Sequence, residues 1–159
     1  MVRYWLMKSD PDTFGIGDLR KSPRQTTCWD GVRNYQARNL LRDEIRVGDR
    51  VLFYHSQEKP PAVVGTAEVV RAGYPDPTQF DRRSKGYDPK SERSDPRWYA
   101  VDIRLQREFR RPVSLPEIRD CAALKEMVLV RRSRLSVQPV TDGQWKTILN
   151  MAARSPGSG

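Results

Sequence analysis

The sequence contains little cysteine and histidine, the residues on which disulfide frameworks and most transition-metal sites depend. It has two cysteines, Cys28 and Cys121, and one histidine, His55, among 159 residues. Two thiols so far apart cannot build a disulfide framework or a thiolate metal site, and one imidazole cannot complete a histidine-rich site. We therefore expect both cysteines to be buried and reduced, and we expect neither a metal nor another cofactor.

Long apolar runs and the usual nucleotide-binding motifs are also missing. No stretch approaches the ~18–20 apolar residues that cross a bilayer, and the first ten residues lack the apolar stretch of a signal peptide. We expect a cytoplasmic chain with no membrane partner. The sequence has no Gly-x-x-x-x-Gly-Lys-Ser/Thr loop and no Gly-x-Gly-x-x-Gly loop. Nucleotide hydrolysis and dinucleotide redox chemistry therefore lack their usual signatures.

Positive charge is in clear excess. The chain carries 29 Lys and Arg against 20 Asp and Glu, a formal net charge of +9. A polyanion such as nucleic acid is the first partner that this balance indicates. Arginine suits bidentate phosphate contacts and stacking on bases, but codon bias raises an arginine count equally well. Charge alone leaves both explanations open, and the oligomeric state is not encoded in any pattern we find.

The pattern of apolar residues predicts one domain of mixed class. Strands are expected at 2–7, at 50–55, at 62–72 with a bend or bulge at Gly65, and at 98–105. Helices are expected at 35–44, 115–120, 122–127 and 141–151, with a long polar segment at 74–96. The fold class is α/β (α+β), a bent and partly closed β-barrel with flanking short helices over residues 1–152. The small, polar residues 153–159 are expected to be a disordered tail.

A tryptophan and an asparagine stand close together in the most informative stretch, 28–39. Trp29 and Gly31 are expected in a loop, and Asn34 stands at the entrance of a helix. An indole face beside a side-chain amide can stack on a nucleobase and hydrogen bond with its edge, and such stacking contributes about 1–3 kcal/mol. The alternative is structural, with Trp29 filling the core and Asn34 capping the helix.

Other polar groups each have a functional and a structural interpretation. Tyr54, His55 and Ser56 end a strand, where side chains can line a cavity, but no catalytic triad or metal-ligand spacing surrounds the lone histidine. A solvated or structurally satisfied histidine is the alternative. The basic stretches 131–134 and 82–85 are either phosphate-contacting loops or solvated turns.

Ordered motifs along nearly the whole chain resemble those of the EVE domain family. The segments that carry the resemblance are 4–11, 29–39, 51–56, 64–70, 74–81, 87–91, 96–98 and 133–140. Each is modest alone, whereas their joint order is specific. The sequence departs from the family at Asp10, where Glu is common, and at Arg132, where Gly is common.

The resemblance implies a PUA-like fold, related to YTH and ASCH domains, that reads modified bases in DNA or RNA. In such domains a base leaves its stack and enters a cavity with an aromatic wall. Carried over by position, Trp29 is the wall. The implied edge-reading residues are Ser9, Asn34, Tyr54, His55 and Ser56, and the implied phosphate or rim contacts are Lys8, Arg33, Arg134 and Ser136.

The leading hypothesis is a non-catalytic module that recognises a modified nucleobase, such as a methylated or hydroxymethylated cytosine, in DNA or RNA. The rival is an ASCH-like hydrolase of RNA or nucleotides that uses His55 or a carboxylate. A third reading is a ligand-binding or protein-interaction domain with an incidental basic surface.

Overall fold

The computed structural model describes residues 2–131 and 134–154. Its strands are β1 (Tyr4–Ser9), β2 (Thr26–Trp29), β3 (Arg50–His55), β4 (Ala62–Pro75), β5 (Tyr99–Ser114) and β6 (Val137–Val140). Its α-helices are α1 (Ile16–Lys21), α2 (Tyr35–Asn39), α3 (Leu115–Asp120), α4 (Val128–Arg131) and α5 (Asp142–Ala153). A π-helical turn, Leu40–Glu44, continues α2. The mixed α+β class predicted from the sequence is confirmed.

The strands form one sheet in the order β2-β5-β4-β3-β1-β6. β1 and β3 are parallel, and the other neighbouring strands are antiparallel. In the described part of the chain, β2 and β6 are the edges and do not pair with each other. The sheet is therefore open between these edges, and the expected partial closure into a barrel stays a prediction.

The strand pairing of β4 is irregular next to Gly65. The register shifts between Phe53 and Tyr54 of β3 and between Val63 and Gly65 of β4. A Cβ atom at position 65 would lie 2.4 Å from the carbonyl oxygen of Arg107, so glycine is required for this close approach of two backbones. Of the bend or bulge expected at Gly65, the structure shows a bulge-like shift in register.

The two faces of the sheet carry two apolar cores. Trp5 and Met7 of β1 enter the first core together with side chains of α1 and α2, while Leu6 enters the second. α3, α4 and α5 pack on that second core. This alternation follows from the two-residue period of a strand. None of the helices in the described ranges is long and apolar enough to span a bilayer.

Several sequence-level boundaries hold and others shift. The strand at 50–55 and the helix at 115–120 are confirmed, and Ser114 and Thr141 cap α3 and α5. The sequence reading missed α1 and β2, so Trp29 ends an edge strand rather than lying in a loop. Residues 122–127 form a 3₁₀ turn followed by the approach to α4.

Two sequence predictions fall on parts of the chain that are only partly described. The expected tail, 153–159, overlaps α5 by one residue, because Ala153 is the last residue of that helix. Residues 155–159 lie outside the described ranges. Arg132 and Ser133 of the basic stretch 131–134 lie outside them too.

Candidate functional site

A cavity of about 530 Å³ opens on the face of the sheet that carries the first core. Its walls come from the end of β1 and the turn after it, from β2 and the loop that leads into α2, and from the residue before β6. The lining residues are Lys8, Ser9, Asp10, Thr13, Phe14, Thr27, Cys28, Trp29, Asp30, Gly31, Val32, Arg33, Asn34 and Ser136. Its volume lies within the range of small-ligand sites.

Trp29 belongs both to the core and to the cavity wall. The residue is 8 % exposed, and its ring meets that of Phe53 edge-to-face, with centroids 5.4 Å apart. The same residue lines the open cavity. The two interpretations of Trp29 that the sequence left open are therefore compatible, because Phe53 supports the indole from the core side.

Asn34 likewise combines a cap with a position in the wall. Its Oδ1 atom accepts a hydrogen bond from the backbone N–H of Ala37 at 3.0 Å, as expected of a residue that caps α2. Because the cap occupies Oδ1, the Nδ2 group of the same amide is the part that can donate to a ligand.

Ser9, Lys8 and Ser136 meet where β1 and the approach to β6 run side by side. The backbone N–H of Lys8 donates to the carbonyl of Ser136 at 2.9 Å. The Ser9 hydroxyl donates to the carbonyl of Phe14, which closes the turn after β1. Partial burial lowers the pKa of Lys8, whose ammonium lies 5.9 Å from the ring centroid of Tyr54.

Arg33 lines the cavity, but its guanidinium is committed to the protein. All five N–H groups donate, to the carbonyls of Val32 and Gly86, the Asp76 carboxylate and the Thr78 hydroxyl, at 2.6–3.2 Å. A phosphate could be contacted only if one of these bonds were given up. The predicted rim contact is thus a structural residue that ties the cavity loop to the segment 76–86.

Asp76 is the anchor of this network. The residue is 0 % exposed, and its carboxylate accepts from the N–H of Gly31 at 2.8 Å as well as from Arg33 and Thr78. Burial alone would raise its pKa, but these hydrogen bonds outweigh burial and lower it. An ionised Asp76 therefore holds Gly31 and the loop after Trp29 in place.

Three predicted pocket residues lie elsewhere: Tyr54, His55 and Ser56 are not among the described residues that line the cavity. Tyr54 points into the second core because alternate residues of β3 face opposite sides of the sheet. His55 is 6 % exposed, and its Nε2 atom accepts from the N–H of Ile16 at 3.1 Å, at the start of α1.

Glu58 lies beside the other ring nitrogen of His55, with 3.2 Å between its Oε1 atom and Nδ1 of the imidazole. The backbone N–H of Ser56 donates to the carbonyl of Ser9 at 2.9 Å, which joins the ends of β3 and β1. Ser56 therefore bonds to the lining residue Ser9, and His55 bonds to the start of α1, but neither is among the described residues that line the cavity.

Arg134 is exposed and is likewise not among the described lining residues. It stands two residues before Ser136, which does line the cavity. Its role at the rim stays a prediction.

The sequence reading missed several cavity residues, above all Asp30 and Cys28. Desolvation, followed by repulsion from Asp76, raises the pKa of Asp30. Cys28 and Cys121, expected to be buried, are only half-buried. Partial burial raises the pKa of the Cys28 thiol to about 11, so this group stays protonated at neutral pH and is a poor nucleophile. Asp30 directly follows Trp29, and this adjacency was the one available signal. No group of His, Cys, Asp and Glu in the described ranges is arranged to hold a metal ion.

Comparison with known proteins gives consistent likenesses. The model of the EVE domain matches residues 3–151. Human thymocyte nuclear protein 1 is 41 % identical over 170 residues, which covers 96 % of this chain and 75 % of that protein. The crystal structure of human THYN1 protein in complex with DNA containing 5-methylcytosine superposes with a TM-score of 0.91 at 40 % identity, covering 97 % of this chain and 99 % of that one.

A more distant likeness concerns the fold alone. The YTH domain of the MRB1 protein from Zygosaccharomyces rouxii, in complex with N6-methyladenosine RNA, gives a TM-score of 0.56 at 17 % identity, covering 99 % of this chain and 88 % of that one. The match of the family model over nearly the whole chain, together with the human relative, shows that the chain belongs to the EVE domain family.

Proposed function

We propose that this protein is a non-catalytic module that binds nucleic acid and holds a modified nucleobase, such as a methylated or hydroxymethylated cytosine, in the cavity beside Trp29. The observation that carries the proposal is the wall itself, an indole supported by Phe53 that borders an open cavity of about 530 Å³. A flat π-surface with polar groups around it is what an unstacked base requires.

Two further observations support a nucleic-acid partner. The net charge of +9 favours a polyanion. The relative with a TM-score of 0.91 is a protein in complex with DNA that contains 5-methylcytosine. We extend that partner to this chain because 97 % of it superposes on the relative.

The surroundings of His55 support binding rather than hydrolysis. The imidazole accepts a backbone hydrogen bond from Ile16 through Nε2 and lies behind the cavity wall rather than in it. A general base must reach the proton that it abstracts. The structural interpretation of His55 is therefore the one that we adopt.

Replacing Trp29 by Leu tests the proposal. This change keeps apolar bulk against Phe53 but removes the flat π-surface. We expect the preference for duplexes with one modified cytosine, over the same duplexes with cytosine, to fall by about tenfold, from lost stacking. Fluorescence anisotropy titrations with 5-methylcytosine, 5-hydroxymethylcytosine and cytosine duplexes measure that preference.

The matched control is Trp145→Leu, which removes an equally buried indole on the other face of the sheet, where it stacks on Tyr4. We expect this variant to keep the preference. A folded Trp29→Leu protein with the same preference as the wild type would exclude the wall, and with it the proposed function.

A further inference from the structure

Among the described residues, Asp10, Asp30 and Asp76 are the carboxylates at or beside the cavity, and Asp30 is the one that no other described residue bonds. Asp10 accepts from the N–H of Asp12 at 3.0 Å, within the turn after β1. Asp76 is saturated by Gly31, Arg33 and Thr78. Asp30 accepts from its own backbone amide, and no other residue in the described ranges donates a hydrogen bond to its side chain.

The surroundings of Asp30 also favour a donor from outside the protein. Asp30 lines the cavity directly after the Trp29 wall, and Arg33, whose charge lowers the pKa of Asp30, directs all five N–H groups to other residues. Partial desolvation and repulsion from Asp76 both disfavour the charged form of the Asp30 carboxyl group. A ligand N–H group would relieve this cost, because a hydrogen bond to the charged form stabilises it.

Two polar groups that follow Trp29 in the lining have complementary hydrogen-bonding roles. Asp30 is the acceptor, and Nδ2 of Asn34 is the donor, since Oδ1 of that amide caps α2. Cytosine presents a 4-amino donor, with acceptors at N3 and O2. Thymine presents an acceptor at position 4 instead. An ionised carboxylate only accepts, so it matches the first base and repels the second.

From this arrangement, and resting on the proposed function, we infer that Asp30 reads the 4-amino group of the bound base and selects an aminopyrimidine over its 4-oxo counterpart. Thymine and 5-methylcytosine share the same 5-methyl group. Asp30 is therefore the residue that separates a methylated cytosine from thymine, whereas the indole stacks on either base.

The experiment compares oligonucleotide duplexes that carry 5-methylcytosine or thymine at one position opposite an abasic site, so that neither base loses a pairing partner. We expect the wild type to bind the 5-methylcytosine duplex about tenfold more tightly, as one good edge contact provides. Asp30→Asn should bring the two affinities within about twofold, because an amide can turn to donate or to accept. Asp12→Asn is the matched control. Asp12 is exposed and is not among the described residues that line the cavity, so removing its charge should leave the wild-type ratio of the two affinities unchanged.

The outcomes separate this inference from the proposed function. If Asp30→Asn binds with the wild-type ratio between 5-methylcytosine and thymine, the role of Asp30 is wrong while the module still reads modified cytosine. If the wild type does not distinguish 5-methylcytosine from cytosine in matched duplexes, the proposed function fails, and the role of Asp30 fails with it. Asp30 is exposed, and urea titration checks that the near-isosteric amide leaves the fold intact.

Discussion

Buried carboxylates act as single-residue anchors, and Asp49 is the clearest case away from the cavity. It is 2 % exposed and accepts from the indole N–H of Trp5 at 2.9 Å and from the backbone N–H groups of Arg3 and Arg46 at 3.1 and 3.0 Å. Asp49→Ala leaves these donors without an acceptor. We expect the free energy of unfolding to fall by about 3 kcal/mol, measured by urea denaturation with an unchanged m-value.

The control for Asp49 is Asp43→Ala. Asp43 is exposed, and its carboxylate accepts from the neighbouring Arg42. Its loss should leave the urea midpoint nearly unchanged, since exposed ion pairs contribute little. If the two substitutions lowered the free energy of unfolding equally, the buried hydrogen bonds of Asp49 would not be the cause of its effect.

Residue roles could be predicted from the sequence only where they depend on near neighbours. The cap at Asn34 is local, and it was one of the two interpretations that the sequence left open, whereas the position of Trp29 in the wall followed from the family resemblance. The location of Tyr54 depends on which face of the sheet it occupies, and a shift of one residue reverses that face. The role of Arg33 depends on Asp76, which is 43 residues away in the chain and which no local pattern connects with it.

Among the elements, the loop after β2 depends on the segment 76–86 for its position. Asp76 and Arg33 form the connection, with Thr78 and Gly86 completing it. Lysine at position 33 could not replace five donors in a planar group. The loop that forms part of the cavity wall is therefore held in place by a segment that is distant in sequence.

This connection predicts a pH dependence of stability. The pKa of Asp76 is lower in the folded protein than its ordinary value of 3.8, so the unfolded chain binds the proton more readily. The stabilisation is fully present above about pH 4 to 5 and is lost as the pH falls through the folded pKa. Urea titrations at pH 6, 4 and 3 should show this loss in the wild type.

Asp76→Asn is the variant that isolates the effect. It should be less stable at pH 6 and should lose less stability between pH 6 and pH 3 than the wild type. An unchanged acid dependence in Asp76→Asn would mean that other carboxylates produce it.

Element boundaries show the same division between local and distant causes. The strand at 50–55 and the helix at 115–120 are encoded locally, and the sequence predicts both. β5 was predicted to end at 105 and runs to Ser114, because its pairing with β4 shifts register several times and disrupts the alternation of exposed and buried residues. β2 was missed because only pairing with β5 makes this polar stretch a strand.

For the whole molecule, the charge of +9 predicts binding that depends strongly on salt. Arg134 is exposed and close in sequence to the cavity residue Ser136. Arg134→Ala should weaken modified and unmodified duplexes alike and reduce the slope of log K against log salt by about 1. Anisotropy titrations at several salt concentrations provide the slope.

Arg119→Ala is the matched control for Arg134. Arg119 is exposed on α3, which packs on the second core, away from the face with the cavity. Its removal should leave the slope unchanged. A loss confined to modified duplexes in Arg134→Ala would assign Arg134 to the base rather than to phosphate.

A crystal structure of this protein with a duplex that contains one 5-methylcytosine tests directly whether the cavity beside Trp29 holds a base. We expect the methylated base to leave the helix and to lie flat against the indole of Trp29. A complex in which the base stays stacked in the duplex, or occupies another surface while the cavity beside Trp29 holds no base, would contradict this expectation.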